Sequence, residues 1–158
     1  MYTFAMIEER LLELGIELPP VSPPAGNYLP CIIMDRVVYV GGHGPIVGSD
    51  VIRGKVGADL TLEEAIEAAR VTAMSILATL KAELGDLDRI ERIFKVFGMV
   101  NVAPGFNQTP AVIDGCSDFL VEVFGDAGRH TRTAVGLAEL PFDIAVEIEL
   151  VAKLRPAE

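Results

Sequence analysis

From Arg129 to Ala152 the chain reads RHTRTAVGLAELPFDIAVEIELVA, with side chains alternating in character on both sides of one break at Leu140-Pro141-Phe142-Asp143. A period of two belongs to extended backbone, whose successive side chains point to opposite faces, and a proline-containing break between such runs reads as a turn. The segment predicts a β-hairpin with Glu139 opposite Ile144, Leu137 opposite Val146, Val135 opposite Ile148 and Thr133 opposite Leu150. That side is an ordinary core face. The other side carries Arg132, Ala134, Gly136 and Ala138 from one strand, with Ala145, Glu147, Glu149 and Val151 from the next. Small residues thus surround one cation and two carboxylates. One reading is a cross-strand salt bridge or a wet antiparallel face. The other is an anion site, because a guanidinium grips a carboxylate through paired N–H donors and a nearby glutamate can handle a proton or a water.

Composition bounds the setting of this hairpin. With 158 residues, 51% of them hydrophobic, the chain suffices for one domain with a sizeable core. Lys plus Arg number 13 against 23 Asp plus Glu, a formal charge of −10 that repels phosphate backbones and disfavours a nucleic-acid partner. Cys31 and Cys116 make neither a disulfide framework nor a C-x-x-C pair, and the N-terminus has no basic region followed by an apolar run. A cytoplasmic location is the simplest inference. No stretch approaches the roughly 18 uninterrupted apolar residues of a membrane span.

Ahead of the hairpin, Phe4, Ile7, Leu11 and Leu14 have the spacing of one helix face, and Gly15 ends it. Pro19, Pro20, Pro23 and Pro24 then form a stiff connector, so residues 1–25 read as an N-terminal helix and proline-rich link to a domain over 26–158. Tyr28 to Met34 and Val37 to Val40 read as strands around Asp35-Arg36, and Gly41-Gly42-His43-Gly44-Pro45 closes the second, its glycines admitting close approach of a strand or a ligand. Thr61-Leu62-Glu63-Glu64 is a capping box opening a long helix, whose Ala65, Ala69, Ala73, Ile76, Leu77, Leu80 and Leu84 mark a buried stripe before Gly85. Ile90 to Val102 reads as a strand and Thr109 to Val123 as a second helix. The order predicts an α+β domain in two layers, a mixed sheet against two main helices.

These features resemble the Rid family of reactive intermediate deaminases, also labelled endoribonuclease L-PSP or YjgF-like. Carrying the resemblance are Gly26-Asn27-Tyr28, the segment around Gly42, the capped helix, and above all the run from Arg132-Thr133 through Leu140-Pro141 to Val146-Glu147-Ile148-Glu149. The resemblance implies the fold of the trimeric bacterial chorismate mutase, a homotrimer with clefts between subunits, a small carboxylate-bearing metabolite as ligand, and no cofactor or metal. It further implies that Arg132 holds the substrate carboxylate, Glu147 positions the hydrolytic water, Tyr28 lines the cleft, and Gly41, Gly42, His43 and backbone near Ala134 touch the substrate. The implied reaction is deamination of reactive enamine or 2-imino acid intermediates; a non-catalytic carboxylate-binding module and a ribonuclease are the alternatives. Four positions depart from the family pattern: Gly41 stands where active deaminases commonly carry serine, His43 for glutamine, Asp114 for asparagine and Ala134 for cysteine.

The remaining chemistry-bearing residues read more simply. His43 and His130 are hydrogen-bonded structural groups unless a site claims them. Cys116 packs as a small hydrophobe in a helix face, and Asp86, Asp88 and Glu91 form a solvated cluster. No His, Cys and carboxylate grouping has zinc spacing.

Overall fold

The structure, a computed structural model, describes residues 6–156. A five-stranded mixed sheet of order β1-β2-β7-β5-β6 forms one layer, built from β1 (Cys31–Met34), β2 (Val37–His43), β5 (Ile90–Asn101), β6 (Thr131–Leu137) and β7 (Val146–Leu154). Helices α2 (Leu62–Leu84) and α3 (Thr109–Phe124) cover one face, and α1 (Ile7–Glu13) docks at their edge. A two-stranded ribbon, β3 (Ile46–Val47) with β4 (Asp50–Val51), fills the link before α2.

Local chemistry accounts for each helix. Thr61 and Glu64 close the capping box as expected, and Gly85 takes φ 79° to end α2. The alanine stripe is fully buried, and Gly115 of α3 lies so close to the Ile66 carbonyl that a Cβ there would meet it at 2.0 Å. Small residues on both helices therefore set how near they pack. The first helix begins at Ile7; Phe4 of the expected face lies outside the described residues. Its N-terminus has no cap of its own, and Asp88 supplies one, accepting from the Ile7 and Glu8 amides. Asp88 is thus a docking group, not part of a solvated cluster.

The predicted hairpin does not form. β6 pairs only with β5, in parallel, and β7 pairs with β5 and β2, so β5 lies between the two strands expected to be partners. The β5–α3–β6 crossover makes β6 parallel, and the eventual return must step over a strand. Residues 138–145 make that step across the end of β5. Asn101, fully buried there, donates Nδ2 to Asp143 Oδ1 at 2.9 Å and to the Ile144 carbonyl at 3.2 Å. Lys55 donates to Asn101 Oδ1 at 3.0 Å, to the Ala138 carbonyl, and to Glu139 at 3.3 Å.

Interposing one strand reassigns the faces. Val96 aligns with both Arg132 and Leu150, whereas Met99 aligns with Glu147 and Phe97 with Glu149. Arg132 therefore shares the helix-covered face with buried Leu150, and Glu147 and Glu149 lie on the uncovered face. That uncovered face also presents Ile32, Tyr39, Phe97 and Val151 around a shallow depression. Among the described residues no helix is long and apolar enough to cross a membrane.

Candidate functional site

Five of the residues expected to form a site do meet. Tyr28, Gly41, Gly42, His43 and Glu147 line a cavity of about 210 Å³ at the end of β2. A bulge opens it, because pairing of β2 with β7 shifts register between Val40 and His43, where one extra residue is accommodated. The Gly41 amide donates to the Pro30 carbonyl at 2.9 Å, holding the connector against the bulge. Glycine at 42 leaves the Glu147 carboxylate its place, since a Cβ there would stand 2.2 Å from Glu147 Oε1 and push that side chain aside.

The polar groups of this cavity differ in how they are satisfied. His43 Nδ1 donates to the Gly41 carbonyl at 2.8 Å, which leaves Nε2 to accept from the Thr79 hydroxyl of α2 at 2.8 Å. Burial lowers the His43 pKa, only partly opposed by the bond to Gly41, so the ring is neutral at pH 7. Glu147 has no hydrogen bond or ion pair among the described residues. Burial, reinforced by the Glu149 charge, raises its pKa. A half-buried carboxylate with a raised pKa and no partner among the described residues is a group suited to taking and returning a proton.

Arg132 and Ala134 are elsewhere. Arg132 lies two strands over from Glu147, about 10 Å across the sheet, and on its opposite face. Its Nη1 donates to Asp114 Oδ1 at 2.7 Å and to Ser117 Oγ at 3.1 Å, both on α3. The lone guanidinium of the sequence reading is therefore a paired one. Ser117 Oγ in turn lies 3.0 Å from His130 Nε2, and His130 Nδ1 donates to the Gly128 carbonyl at 2.6 Å. Burial lowers the His130 pKa, with the Arg132 charge adding to the fall. The Ala134 carbonyl accepts from Thr109 Oγ1 at 3.2 Å. Cys116 beneath this cluster has its thiol pushed up to about 12 by burial, which makes it inert.

Sequence reasoning missed Thr79, Ser117 and Phe142 as site components. The two histidines are built alike, each bonding the carbonyl two residues earlier and a hydroxyl on a helix, and no local motif betrays which hydroxyl will be in reach. Among the described residues no group of three or more His, Cys, Asp or Glu could hold a metal ion.

Known proteins are similar to this chain over most of its length. The family model described as "YjgF/chorismate_mutase-like, putative endoribonuclease" matches residues 8–154. Protein TCP17 of Trypanosoma cruzi is 40% identical over 152 residues, covering 94% of each chain. The crystal structure of Atu1372 from Agrobacterium tumefaciens, of unknown function, superposes with a TM-score of 0.87 at 40% identity, over 95% of this chain and 93% of that one. A structure from Shewanella oneidensis MR-1 that carries the same endoribonuclease label gives 0.91 at 35% identity, over 94% and 99%. E. coli TdcF with bound serine, at 22% identity, a TM-score of 0.60 and coverage of 88% and 94%, shares the fold.

Proposed function

The chain belongs to the YjgF/chorismate mutase-like family, and on that premise we propose that it is a small-molecule hydrolase that deaminates 2-imino acids in clefts between copies of itself. The observation that carries this reading is Glu147: a half-buried carboxylate, unpaired among the described residues, and seated on Gly42 in a cavity the size of a small metabolite. A serine bound by the distant relative TdcF is a ligand of the same scale.

In the proposed reaction water attacks the C=N carbon of the protonated imine while Glu147 takes a proton from it. Glu147 then returns that proton to the nitrogen, and as the C–N bond breaks the carbinolamine hydroxyl gives up its proton to the departing ammonia, leaving ammonium and a 2-oxo acid. A cation must hold the substrate carboxylate meanwhile. Arg132 commits Nη1 to Asp114 and Ser117, so its Nε and Nη2, unbonded among the described residues, present a two-donor edge of the kind that grips carboxylates. Because Arg132 and Glu147 of one chain occupy opposite faces, the pair is completed by a second copy. The uncovered apolar sheet face around Tyr39 and Val151 is the proposed seam of a homotrimer.

Ammonia release from a freshly generated 2-imino acid tests the reading, with Arg132→Ala and Glu147→Gln expected to lose it. Mixing the two inactive variants by refolding should restore on the order of a quarter of wild-type activity, since random assembly rebuilds some intact clefts. Inactive mixtures from active wild type would refute the shared site. A second reading, a binding module without turnover, is favoured by Gly41 and Ala134, which lack the side chains of the active deaminases; Arg132-dependent thermal stabilisation by 2-oxo acids with no ammonia release would select it. The −10 charge argues against the ribonuclease reading.

A further inference from the structure

Phe142 has φ 57° and ψ 19°, and Asp143 follows at φ 58°. Left-handed backbone is unfavourable for a bulky side chain and persists where surrounding contacts over-determine it. Those contacts exist. Arg53 Nε donates to the Phe142 carbonyl at 3.1 Å, the Gly54 amide donates to the Asp143 carbonyl at 2.8 Å, and Asn101 holds the Asp143 carboxylate at 2.9 Å. Core packing does not explain the strain, because Phe142 is 73% exposed. What the strained turn achieves is to place Phe142 on the lining of the Glu147 cavity.

The proline connector supplies a second part of that lining. Pro23 and Pro24 line the same cavity, and the Ala25 amide donates to the Tyr28 hydroxyl at 3.1 Å, tying the connector to the ring beside it. Proline fixes its own backbone, so these walls are stiff before any ligand arrives. His43, Thr79 and Glu147 make the polar part; Pro23, Pro24, Tyr28, Pro141 and Phe142 make the apolar part. At about 210 Å³ the space lies below the roughly 300 Å³ at which drug-sized sites begin, which suits one amino-acid-sized molecule.

We propose that Phe142 and the proline connector form a specificity clamp that receives the substrate's side chain and selects 2-imino acids bearing an aromatic group over the alanine-derived one. The inference rests on the hydrolytic reading of the cavity and goes beyond it by naming the side-chain class. Aromatic walls gain most from an aromatic guest through area and ring contact, whereas a methyl group leaves them facing water.

The test compares kcat/KM for the phenylalanine-derived and alanine-derived imino acids in wild type, Phe142→Ala and Phe142→Gly. Wild type should favour the aromatic substrate, and the ratio of the two values should fall about tenfold in both variants. Glycine relieves the left-handed strain, so Phe142→Gly should also raise Tm, which shows that the ring is held at the expense of stability and that lost selectivity is not lost folding. An unchanged ratio overturns the clamp, whatever Tm does. If wild type releases ammonia from neither substrate, the hydrolytic reading fails, and the clamp is then judged by equilibrium dialysis with phenylpyruvate and pyruvate. Preference for phenylpyruvate that Phe142→Gly abolishes supports it, and equal binding of the two refutes it.

Discussion

The two histidine stations share one construction but sit beside ionisable groups of opposite sign. At His43 the ring bonds the Gly41 carbonyl and Thr79, and the neighbouring ionisable group is Glu147, half-buried and unpaired among the described residues. At His130 the ring bonds the Gly128 carbonyl and Ser117, and the neighbour is Arg132, already paired with Asp114. The contrast follows from what each charge tolerates. A carboxylate buried without a partner shifts its pKa and becomes a proton carrier, whereas a guanidinium cannot shed its proton and must stay paired until an anion arrives. On the proposed reading, one end therefore carries the proton and the other captures the carboxylate.

The largest test of that division is chemical. Glu147→Gln should lower kcat by 100-fold or more with KM little altered, and Arg132→Ala should raise KM steeply as well; steady-state kinetics separates the two roles. Matching effects on both parameters would erase the distinction between the ends. Next in size, Asn101→Ala removes the pin that carries the chain across β5 and leaves the Asp143 turn and Lys55 without their partner. A loss of about 2–3 kcal/mol in denaturant unfolding is expected.

Smaller substitutions sharpen the comparison. Gly42→Ala drives a methyl into the Glu147 carboxylate, whose flexible side chain moves aside; activity should fall about tenfold with little change in Tm, because the fold itself does not resist. Crystallography of that variant should show the carboxylate displaced.

The pH dependence of stability is the mildest effect and carries opposite signs at the two kinds of group. The histidine pKa values are lowered in the fold from 6.5, so their contribution is present above pH 6.5 and is lost as pH falls through their folded values. Glu147 is raised from 4.5, so its contribution is present below pH 4.5 and is lost as pH rises through its folded value. Glu147→Gln should accordingly stabilise the protein at pH 7 but not at pH 4, and His43→Gln should flatten the loss below pH 6.5. Thermal unfolding across that range reads both.

Much of the fold was written in local patterns. The capping box and alanine stripe place α2, the apolar spacing from Thr109 places α3, and the runs before and after Asp35-Arg36 place β1 and β2. Alternation also found β7, with Val146, Ile148 and Leu150 buried and Glu147 and Glu149 turned away from the helices. It failed for β6. Thr133 and Leu137, expected in the core, are exposed, and Arg132, Ala134 and Gly136 face the helices. In β5 the residues Ile93, Phe94, Val96, Phe97, Met99 and Val100 are apolar at both parities, as suits a strand with helices on one face and the apolar depression on the other.

What the residues alone determined is therefore which segments are helix or strand and which side of each helix is apolar, whereas the expectation that Glu147 and the glycine-rich end of β2 belong together came from the family resemblance. Helix, strand and apolar side are short-range properties, set by spacing, capping and turn chemistry within a few residues. Only the tertiary structure decided that β5 enters between β6 and β7, that Arg132 and Glu147 consequently face apart, and that Thr79 and Ser117 complete the histidine pairs. Strand neighbours are chosen by the packing of the whole sheet and the path of a helical crossover, and a pattern of period two reports extended backbone without saying what lies beside it.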